Sequence, residues 1–162
     1  MIVLGFDPGS RSSGWARLDV RGCAPAPVVP TFLEGGEVES DFFAVGALFR
    51  ATSSDLVAVE WLEGIAYPIR NPGIVAQLLA SSAAASRIET LARVAERKTS
   101  RVPAVKWRHL LCGRGNADDK LVKLAVERLV YGMPPRSNVH VRDAVGCAVG
   151  AAWMVGGDRS AA

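Results

Sequence analysis

Residues 2–11 of the chain read Ile-Val-Leu-Gly-Phe-Asp-Pro-Gly-Ser-Arg. The run is apolar as far as Asp7 and then breaks at an Asp-Pro-Gly-Ser sequence, which is a turn signal. Apolar residues resume between Gly14 and Val20, so the pattern predicts two strands joined as a hairpin. Asp7 would therefore close the first strand.

The rest of the chain alternates between strand and helix patterns. The continuous apolar run of residues 56–59 favours a central strand buried on both faces, with Glu60 at its carboxyl end. Asn71 and Pro72 are typical of a helix start, as N-cap and first helical residue. Further strands are predicted at 31–38 and 101–105, helices at 42–51, 71–97, 117–131 and about 140–155, and a short helix or turn at 106–112. This order predicts an α/β fold, a mixed sheet with helices on both faces.

Length and composition limit the classes of function. A chain of 162 residues, 49% hydrophobic and 22% charged, fits one globular domain with a packed core. We expect that domain over residues 1–158 and a short tail at 159–162. The net charge of +3 permits nucleic-acid binding without requiring it.

Nothing in the sequence indicates a membrane or an oxidising compartment. The longest uncharged run, residues 144–157, is shorter than the roughly 20 residues that span a bilayer. The first residues lack the pattern of a secretory signal, so we expect a cytoplasmic protein with no membrane partner. Cys23, Cys112 and Cys147 are odd in number and far apart, which favours reduced thiols over a disulfide framework.

Three carboxylates fall at the ends of predicted elements: Asp7 and Glu60 close strands, and Asp143 lies in the first turn of the last helix. Buried carboxylates need a compensating partner, and a divalent cation is one such partner. Two Mg²⁺ ions sharing carboxylates can promote hydrolysis of a phosphodiester. Taken singly, each residue has an alternative interpretation: Asp7 as a turn former, Glu60 as an exposed strand-end charge, and Asp143 as a charge favoured by the helix dipole.

Five blocks of sequence together resemble the RuvC family of Holliday-junction resolvases. They are residues 2–11 followed by Gly-Trp, the second carboxylate strand at 57–60, the Asn-Pro helix start at 71–72, the Gly-rich loop at 113–118, and the Asp-Ala sequence at 143–144. The blocks occur in family order over nearly the whole chain. The resemblance implies an RNase H-like α/β fold with a mixed five-stranded sheet, a homodimer, dependence on Mg²⁺ or Mn²⁺ with two ions per site, and paired cuts across branched, four-way DNA.

The sequence departs from the family at one position of the site. The family usually has a carboxylate three residues before its last catalytic Asp, and here that residue is His140. Residues three apart share a helix face, so His140 and Asp143 can reach one site. An imidazole suits Mn²⁺ better than Mg²⁺, so we expect a stronger Mn²⁺ preference than in all-carboxylate relatives. Alternatively, His140 only forms hydrogen bonds near the site, or it assists proton transfer.

The basic residues expected to contact DNA are reproduced in part. The first basic position beside the Gly-rich loop falls on Arg108, whereas the second falls on Asp119, one before Lys120. Other candidates for phosphate contacts are Arg11, Arg70, Arg114 and Lys123. Each of them can also be read as a solvated surface charge.

The aromatic residue that the family carries three positions after its second carboxylate is also missing. Glu63 stands there, so a stacking wedge would have to come from Trp61 or Tyr67. Both can also be core or rim residues.

The predicted long helix is the candidate dimer interface. Its apolar stripe and its stretch of Ala and Ser exceed what one small sheet must cover. We therefore expect Leu78→Glu to abolish both dimerisation and junction cleavage.

Three other functions remain open at this stage. A ribosomal-RNA-processing nuclease of related fold has a similar opening motif, and a junction-binding protein without catalysis would explain His140 as a mark of lost function. An actin-like or sugar-kinase phosphate loop also follows a first strand, but 162 residues leave no room for a second lobe.

Overall fold

The structure, a computed structural model, describes residues 1–20, 29–63 and 71–157. It contains five strands and five helices within these ranges. The strands are β1 (Ile2–Asp7), β2 (Ser12–Asp19), β3 (Thr31–Glu39), β4 (Leu56–Trp61) and β5 (Lys98–Pro103). The helices are α1 (Phe42–Ala51), α2 (Pro72–Val94), α3 (Ala104–Cys112), α4 (Asp119–Leu129) and α5 (Val139–Gly157).

The five strands form one mixed sheet in the order β3-β2-β1-β4-β5. The first three strands pair antiparallel, whereas β4 and β5 run parallel to β1. The parallel pairs need crossover connections, which α1 and α2 supply. The predicted mixed five-stranded sheet is therefore confirmed, as is the position of β4 between two neighbours.

One face of the sheet is covered by α3, α4 and α5. Side chains alternate along a strand, so Val3, Gly5 and Asp7 of β1 all point to this face. The large buried cluster here joins Val3 and Ala58 to Trp107 of α3 and to the small residues of α5. This face therefore carries the long apolar helix that ends the described chain.

The opposite face is covered by α1 and α2, so the prediction of helices on both faces is confirmed. Leu4 and Phe6 of β1 pack there with Val57 and Val59 of β4, all with no exposed surface. Only the second half of α2 is buried against this face, through Ala84, Ala85, Ile88, Glu89 and Ala92.

Several predicted boundaries were wrong. Helix α2 ends at Val94 rather than 97, because Glu96 adopts a left-handed backbone with φ of 55° and turns the chain. Arg97 then donates to the carbonyl oxygens of Phe49 and Thr52, and β5 begins at Lys98 rather than 101.

Two helix starts were also misplaced. Helix α4 begins at Asp119 rather than 117, because the side chain of Asp118 caps it by accepting from the Leu121 backbone N–H. Helix α5 begins at Val139, so Asp143 lies in its second turn and not its first.

Two other expectations concern membranes and cysteines. Within the described ranges, the structure has no helix that combines the length and apolar character needed to cross a bilayer. Cys112 and Cys147 are free thiols, as predicted. Cys23 lies outside the described residues.

Candidate active site

Pairing between β1 and β4 brings two of the predicted carboxylates together. Phe6 is paired with Val59 in parallel register, so the next residues, Asp7 and Glu60, lie side by side where the strands end. Both point to the face that α5 covers, because Glu60 follows Ala58 by two positions. The sheet thus holds two carboxylates, 53 positions apart in sequence, at one edge.

Close packing of α5 against the sheet adds the third carboxylate and the histidine. Gly14, which is paired with Asp7, lies so close to α5 that a Cβ atom there would be 2.3 Å from the His140 carbonyl oxygen. A Cβ atom on Gly5 would similarly be 2.2 Å from the Ala144 carbonyl oxygen. Because these two strand positions are glycine, the helix turn between His140 and Ala144 lies directly on the end of β1.

Asp7 and His140 are joined by a hydrogen bond. His140 Nδ1 lies 2.7 Å from Asp7 Oδ2. Burial raises the pKa of Asp7, and the hydrogen bond and charge of His140 oppose that rise. The same hydrogen bond is the main reason that the pKa of His140 is raised above its ordinary value. With Nδ1 directed to Asp7, Nε2 is the ring nitrogen that remains for a substrate or a ligand.

Glu60 is oriented by a residue that the sequence analysis did not identify. Trp107 of α3 is fully buried, and its indole Nε1–H donates to Glu60 Oε2 over 2.8 Å. Burial and the nearby charge of Asp7 raise the pKa of Glu60 to about 7, and the Trp107 hydrogen bond limits the rise. Glu60 can therefore gain or lose a proton near neutral pH.

Asp143 is held by Arg108. The Arg108 guanidinium donates through Nη2 to Asp143 Oδ2 over 2.8 Å. Burial nevertheless raises the pKa of Asp143 to about 6, against the charge of Arg108. The second oxygen, Oδ1, is buried and has no hydrogen-bond partner among the described residues. That oxygen needs a donor or a cation to compensate its burial.

A cleft of about 340 Å³ opens at this edge of the sheet. Asp7, Glu60 and His140 line it on one side, together with the turn of residues 8–12. Helix α2 lines the other side with residues that were not predicted as part of the site: Gln77, Leu78, Ser81, Ser82 and Ala85. Asp143 does not line this cleft, and its side chain contacts Arg108.

The donor set fits a hard divalent cation. Carboxylate oxygens suit Mg²⁺ and an imidazole suits Mn²⁺, and the unpartnered Oδ1 of Asp143 is the kind of buried atom that a cation would satisfy. In the part of the chain that the structure describes, no three His, Cys, Asp or Glu side chains already stand in metal-binding geometry. The contacts of Asp143 with Arg108 and of Asp7 with His140 occupy oxygens that would have to turn toward an ion.

The predicted basic residues lie in different places. Arg11 lines the cleft, and Arg108 contacts Asp143. Arg114 and Lys120 are exposed beside the Gly-rich loop and on the first turn of α4. Lys123 forms an exposed pair with Glu127 of its own helix at 3.8 Å. Arg70 lies outside the described residues.

Of the two aromatic wedge candidates, Tyr67 lies outside the described residues and Trp61 lines the cleft. The Arg101 guanidinium lies 3.9 Å from the centre of the Trp61 ring and is held by the buried carboxylate of Glu89. One face of this ring is therefore covered by arginine.

A serine pair holds the turn that follows Asp7 and was also missed. Ser40 Oγ donates to the Gly9 carbonyl over 2.9 Å and lies 2.7 Å from Ser13 Oγ. Both serines are buried. Neither they nor Trp107 carry a local sequence signal, because their contacts span 27 to 47 positions.

Comparison with known proteins supports the fold. No family model matches the sequence, and no curated protein matches it significantly. Among solved structures, Thermus thermophilus RuvC is 21% identical, with a TM-score of 0.74 over 96% of this chain and 95% of that one. The same protein in complex with a Holliday junction substrate is 20% identical, with a TM-score of 0.76 over 98% and 96%. The fowlpox virus Holliday junction resolvase is 11% identical, with a TM-score of 0.54 over 98% and 99%.

These likenesses confirm the predicted RNase H-like fold and the resemblance to RuvC. They extend along nearly the whole of both chains.

Proposed function

We propose that this chain is a RuvC-type, divalent-metal-dependent endonuclease that resolves four-way DNA junctions by paired phosphodiester hydrolysis. The observation that carries the proposal is that Asp7 and Glu60 lie side by side where β1 and β4 end, with His140 bonded to Asp7 and with Asp143 close enough for its charge to act on Glu60. Each of these carboxyl groups has a raised pKa, chiefly because burial penalises its charged form. The structural likeness to two kinds of Holliday-junction resolvase supports the choice of substrate.

The metal ligands would be the three carboxylates and His140. Asp7 would be the central ligand of this set, since it lies next to both Glu60 and His140. When bound, one or two Mg²⁺ or Mn²⁺ ions would supply the positive charge that activates water and stabilises the leaving oxygen. His140 in place of a carboxylate favours Mn²⁺ over Mg²⁺.

The chain's own residues would orient the reaction and move protons. Trp107 fixes the rotamer of Glu60 through its indole N–H. As the alternative to binding metal, the half-exposed His140 would use its Nε2 at the cleft to carry a proton toward the leaving 3′ oxygen. Products would then carry 5′-phosphates. Ser40 would fix the turn after Asp7 by donating to the Gly9 carbonyl.

Exposed basic residues would bind the DNA. Arg11 lines the cleft, Arg114 is exposed within the Gly-rich loop, and Lys120 is exposed on the first turn of α4. Arg70, Arg108 and Lys123 remain candidates from the sequence. A protein that neutralises several phosphates loses affinity steeply as salt rises, so the slope of junction affinity against salt counts these contacts.

A two-fold dimer would present two such sites to a symmetric junction. The first half of α2 supports this arrangement, because its apolar side chains Ile74 and Leu79 are exposed while the burying residues all lie in its second half. Leu78 lines the cleft, so Leu78→Glu would also alter the site, and Leu79 is the cleaner probe of the interface.

A labelled synthetic four-way junction tests the proposed function. We expect symmetric paired cuts in Mg²⁺ or Mn²⁺, none in EDTA, and no cutting of a linear duplex. Asp7→Asn should abolish cleavage. Asp55→Asn is the matched control, because Asp55 makes a structural hydrogen bond to the Ile2 N–H at the far end of β1.

Two outcomes of this assay would contradict the proposal. Tight junction binding in EDTA without products in either metal would instead identify a non-catalytic junction-binding protein. Cleavage of structured RNA but not of the junction would identify an RNA-processing nuclease.

A further inference from the structure

The contact between Arg108 and Asp143 joins a proposed DNA-binding residue to a proposed metal ligand. Arg108 Nη2 and Asp143 Oδ2 are 2.8 Å apart, with the two side chains 24% and 11% exposed. The guanidinium also donates to the Ala117 carbonyl over 3.3 Å and lies 5.1 Å from the centre of the Trp107 ring. The Arg108 guanidinium is therefore fixed by three contacts within the site.

This pair compensates a charge that would otherwise be expensive. A buried carboxylate without a counter-charge is strongly destabilising, and Arg108 supplies that counter-charge in the free protein. A divalent cation at Asp143 would supply it equally well. A cation at Oδ1 and the guanidinium at Oδ2 of the same carboxylate would repel each other, so each would weaken the binding of the other.

A DNA phosphate offers the guanidinium another partner. Arginine binds phosphate and carboxylate with the same fork of donors, so moving from Asp143 to a phosphate exchanges one charge-assisted pair for another. Arg108 Nε is buried and has no hydrogen-bond partner within the described ranges, so the present pairing does not satisfy all of its donors.

We propose that Arg108 couples junction binding to metal binding: in the free protein it pairs with Asp143, and a DNA phosphate draws it away so that Asp143 binds a divalent cation more tightly. The inference rests on the proposed function and adds a coupling residue to it. Because such coupling is reciprocal, freeing Asp143 from Arg108 strengthens metal binding, and freeing Arg108 from Asp143 strengthens DNA binding.

The first test measures Mn²⁺ affinity of the free protein by electron paramagnetic resonance. Arg108→Met should bind Mn²⁺ about tenfold more tightly than the wild type, within the usual range of coupling between sites. Arg17→Met is the matched control, since Arg17 is also 24% exposed and forms an ion pair, with Glu34 at 2.6 Å. It removes the same charge and should leave Mn²⁺ affinity unchanged.

The second test leaves Arg108 in place and measures junction affinity in EDTA at pH 8.5. Asp143→Asn releases Arg108 and should tighten junction binding about tenfold more than Glu60→Gln does. Glu60→Gln is the matched control because it removes a carboxylate from the same cluster without touching Arg108. In a protein that already carries Arg108→Met, Asp143→Asn should tighten junction binding no more than Glu60→Gln does.

The outcomes separate this inference from the function on which it rests. If Asp143→Asn weakens Mn²⁺ binding but Arg108→Met leaves it at the wild-type value, the coupling is overturned and the metal site stands. The coupling is also overturned if, in the second test, Asp143→Asn and Glu60→Gln tighten junction binding equally. If Mn²⁺ binding is insensitive to Asp143→Asn, the proposed metal site fails, and the coupling fails with it.

Discussion

At neutral pH the ionised side chain of Glu60 destabilises the fold, whereas a neutral carboxamide at this position would not. Its pKa is raised to about 7, chiefly by burial and then by the charge of Asp7, so ionisation destabilises the fold whenever no cation is bound. Trp107 reduces this cost without removing it. This loss of stability at neutral pH fits the proposed role of Glu60 in binding a cation.

Glu60→Gln should therefore stabilise the metal-free protein at high pH. A folded pKa raised from 4.5 to about 7 contributes stability that is complete below pH 4.5 and is lost as pH rises toward 7. The variant should match the wild type near pH 4.5 and exceed it by about 1–3 kcal/mol at pH 8.5. Chemical denaturation in EDTA measures this, and equal stability at pH 8.5 would refute it.

Trp107→Phe should shift the pH dependence of cleavage. The indole N–H favours the ionised form of Glu60, and a hydrogen bond to a charged group contributes about 1.5–3 kcal/mol. Its loss should raise the pKa of Glu60 in the metal-free protein by about one unit or more, so protons compete with the metal ion up to a higher pH. The acid limb of the rate profile should then move up, with activity largely recovered at high pH.

Trp153→Phe is the matched control for that variant, because Trp153 packs against the same core without a bond to Glu60. A rate profile for Trp107→Phe with the wild-type acid limb would show that the indole does not tune Glu60.

At the residue level, the sequence predicted the acidic groups better than their partners. Asp7 and Glu60 could be predicted because each directly follows an apolar strand pattern. Trp107 acts through a contact made when α3 packs on the sheet, and Ser40 through contacts made when β3 pairs with β2, and no spacing along the chain records either. The resemblance identified Arg108, but as a DNA contact, and its contact with Asp143 depends on the packing of α3 against α5.

The element that completes the site is α5, and its position depends on two glycines. Gly5 and Gly14 face α5 on neighbouring strands, and a side chain on either would clash with helix backbone. This close approach places His140 against Asp7. The small residues of α5 serve the same packing, since Ala144 and Ala148 lie next to Gly5.

Gly14→Ala should lift α5 off the sheet and loosen the site. The added Cβ would lie 2.3 Å from the His140 carbonyl oxygen, which is backbone and cannot rotate away. We expect a loss of about 1–3 kcal/mol in unfolding free energy, together with weaker Mn²⁺ binding.

Gly36→Ala on the edge strand β3 is the matched control, since the nearest atom there would be at 3.5 Å. Denaturation and Mn²⁺ titration of the two variants would contradict the account if Gly14→Ala behaved like Gly36→Ala in both measurements.

The predicted ends of strands and helices were wrong where packing or local backbone geometry, and not the hydrophobic pattern of the sequence, determines them. Strand β5 begins with Lys98, Thr99 and Ser100, which show no apolar alternation, and only its pairing with β4 makes it a strand. Helices with an apolar stripe and a clear cap, such as α1 and α2, were predicted to within a few residues because their signals are local.

On the scale of the whole molecule, the first half of α2 presents exposed apolar side chains. Helix α2 buries only its second half, and Ile74 and Leu79 of the first half are 47% and 65% exposed. Exposed apolar residues beside a cleft are what a two-fold interface would cover, and they would place two clefts on one assembly.

Leu79→Glu should dissociate the dimer that we propose. An unpaired carboxylate at an apolar interface should raise the dimer dissociation constant by at least about a hundredfold. Sedimentation analysis measures this. Val94→Glu is the matched control, because Val94 lies at the other end of α2 and is 76% exposed. Dimers that survive Leu79→Glu would exclude this surface.

The most direct measurement is anomalous diffraction from a crystal of the wild-type protein soaked in saturating Mn²⁺. We expect one or two strong peaks among the carboxylates of Asp7, Glu60 and Asp143, at about 2.0–2.6 Å from their oxygens, with Asp143 turned away from Arg108. Strong peaks elsewhere on the protein, with none among these three carboxylates, would contradict the account.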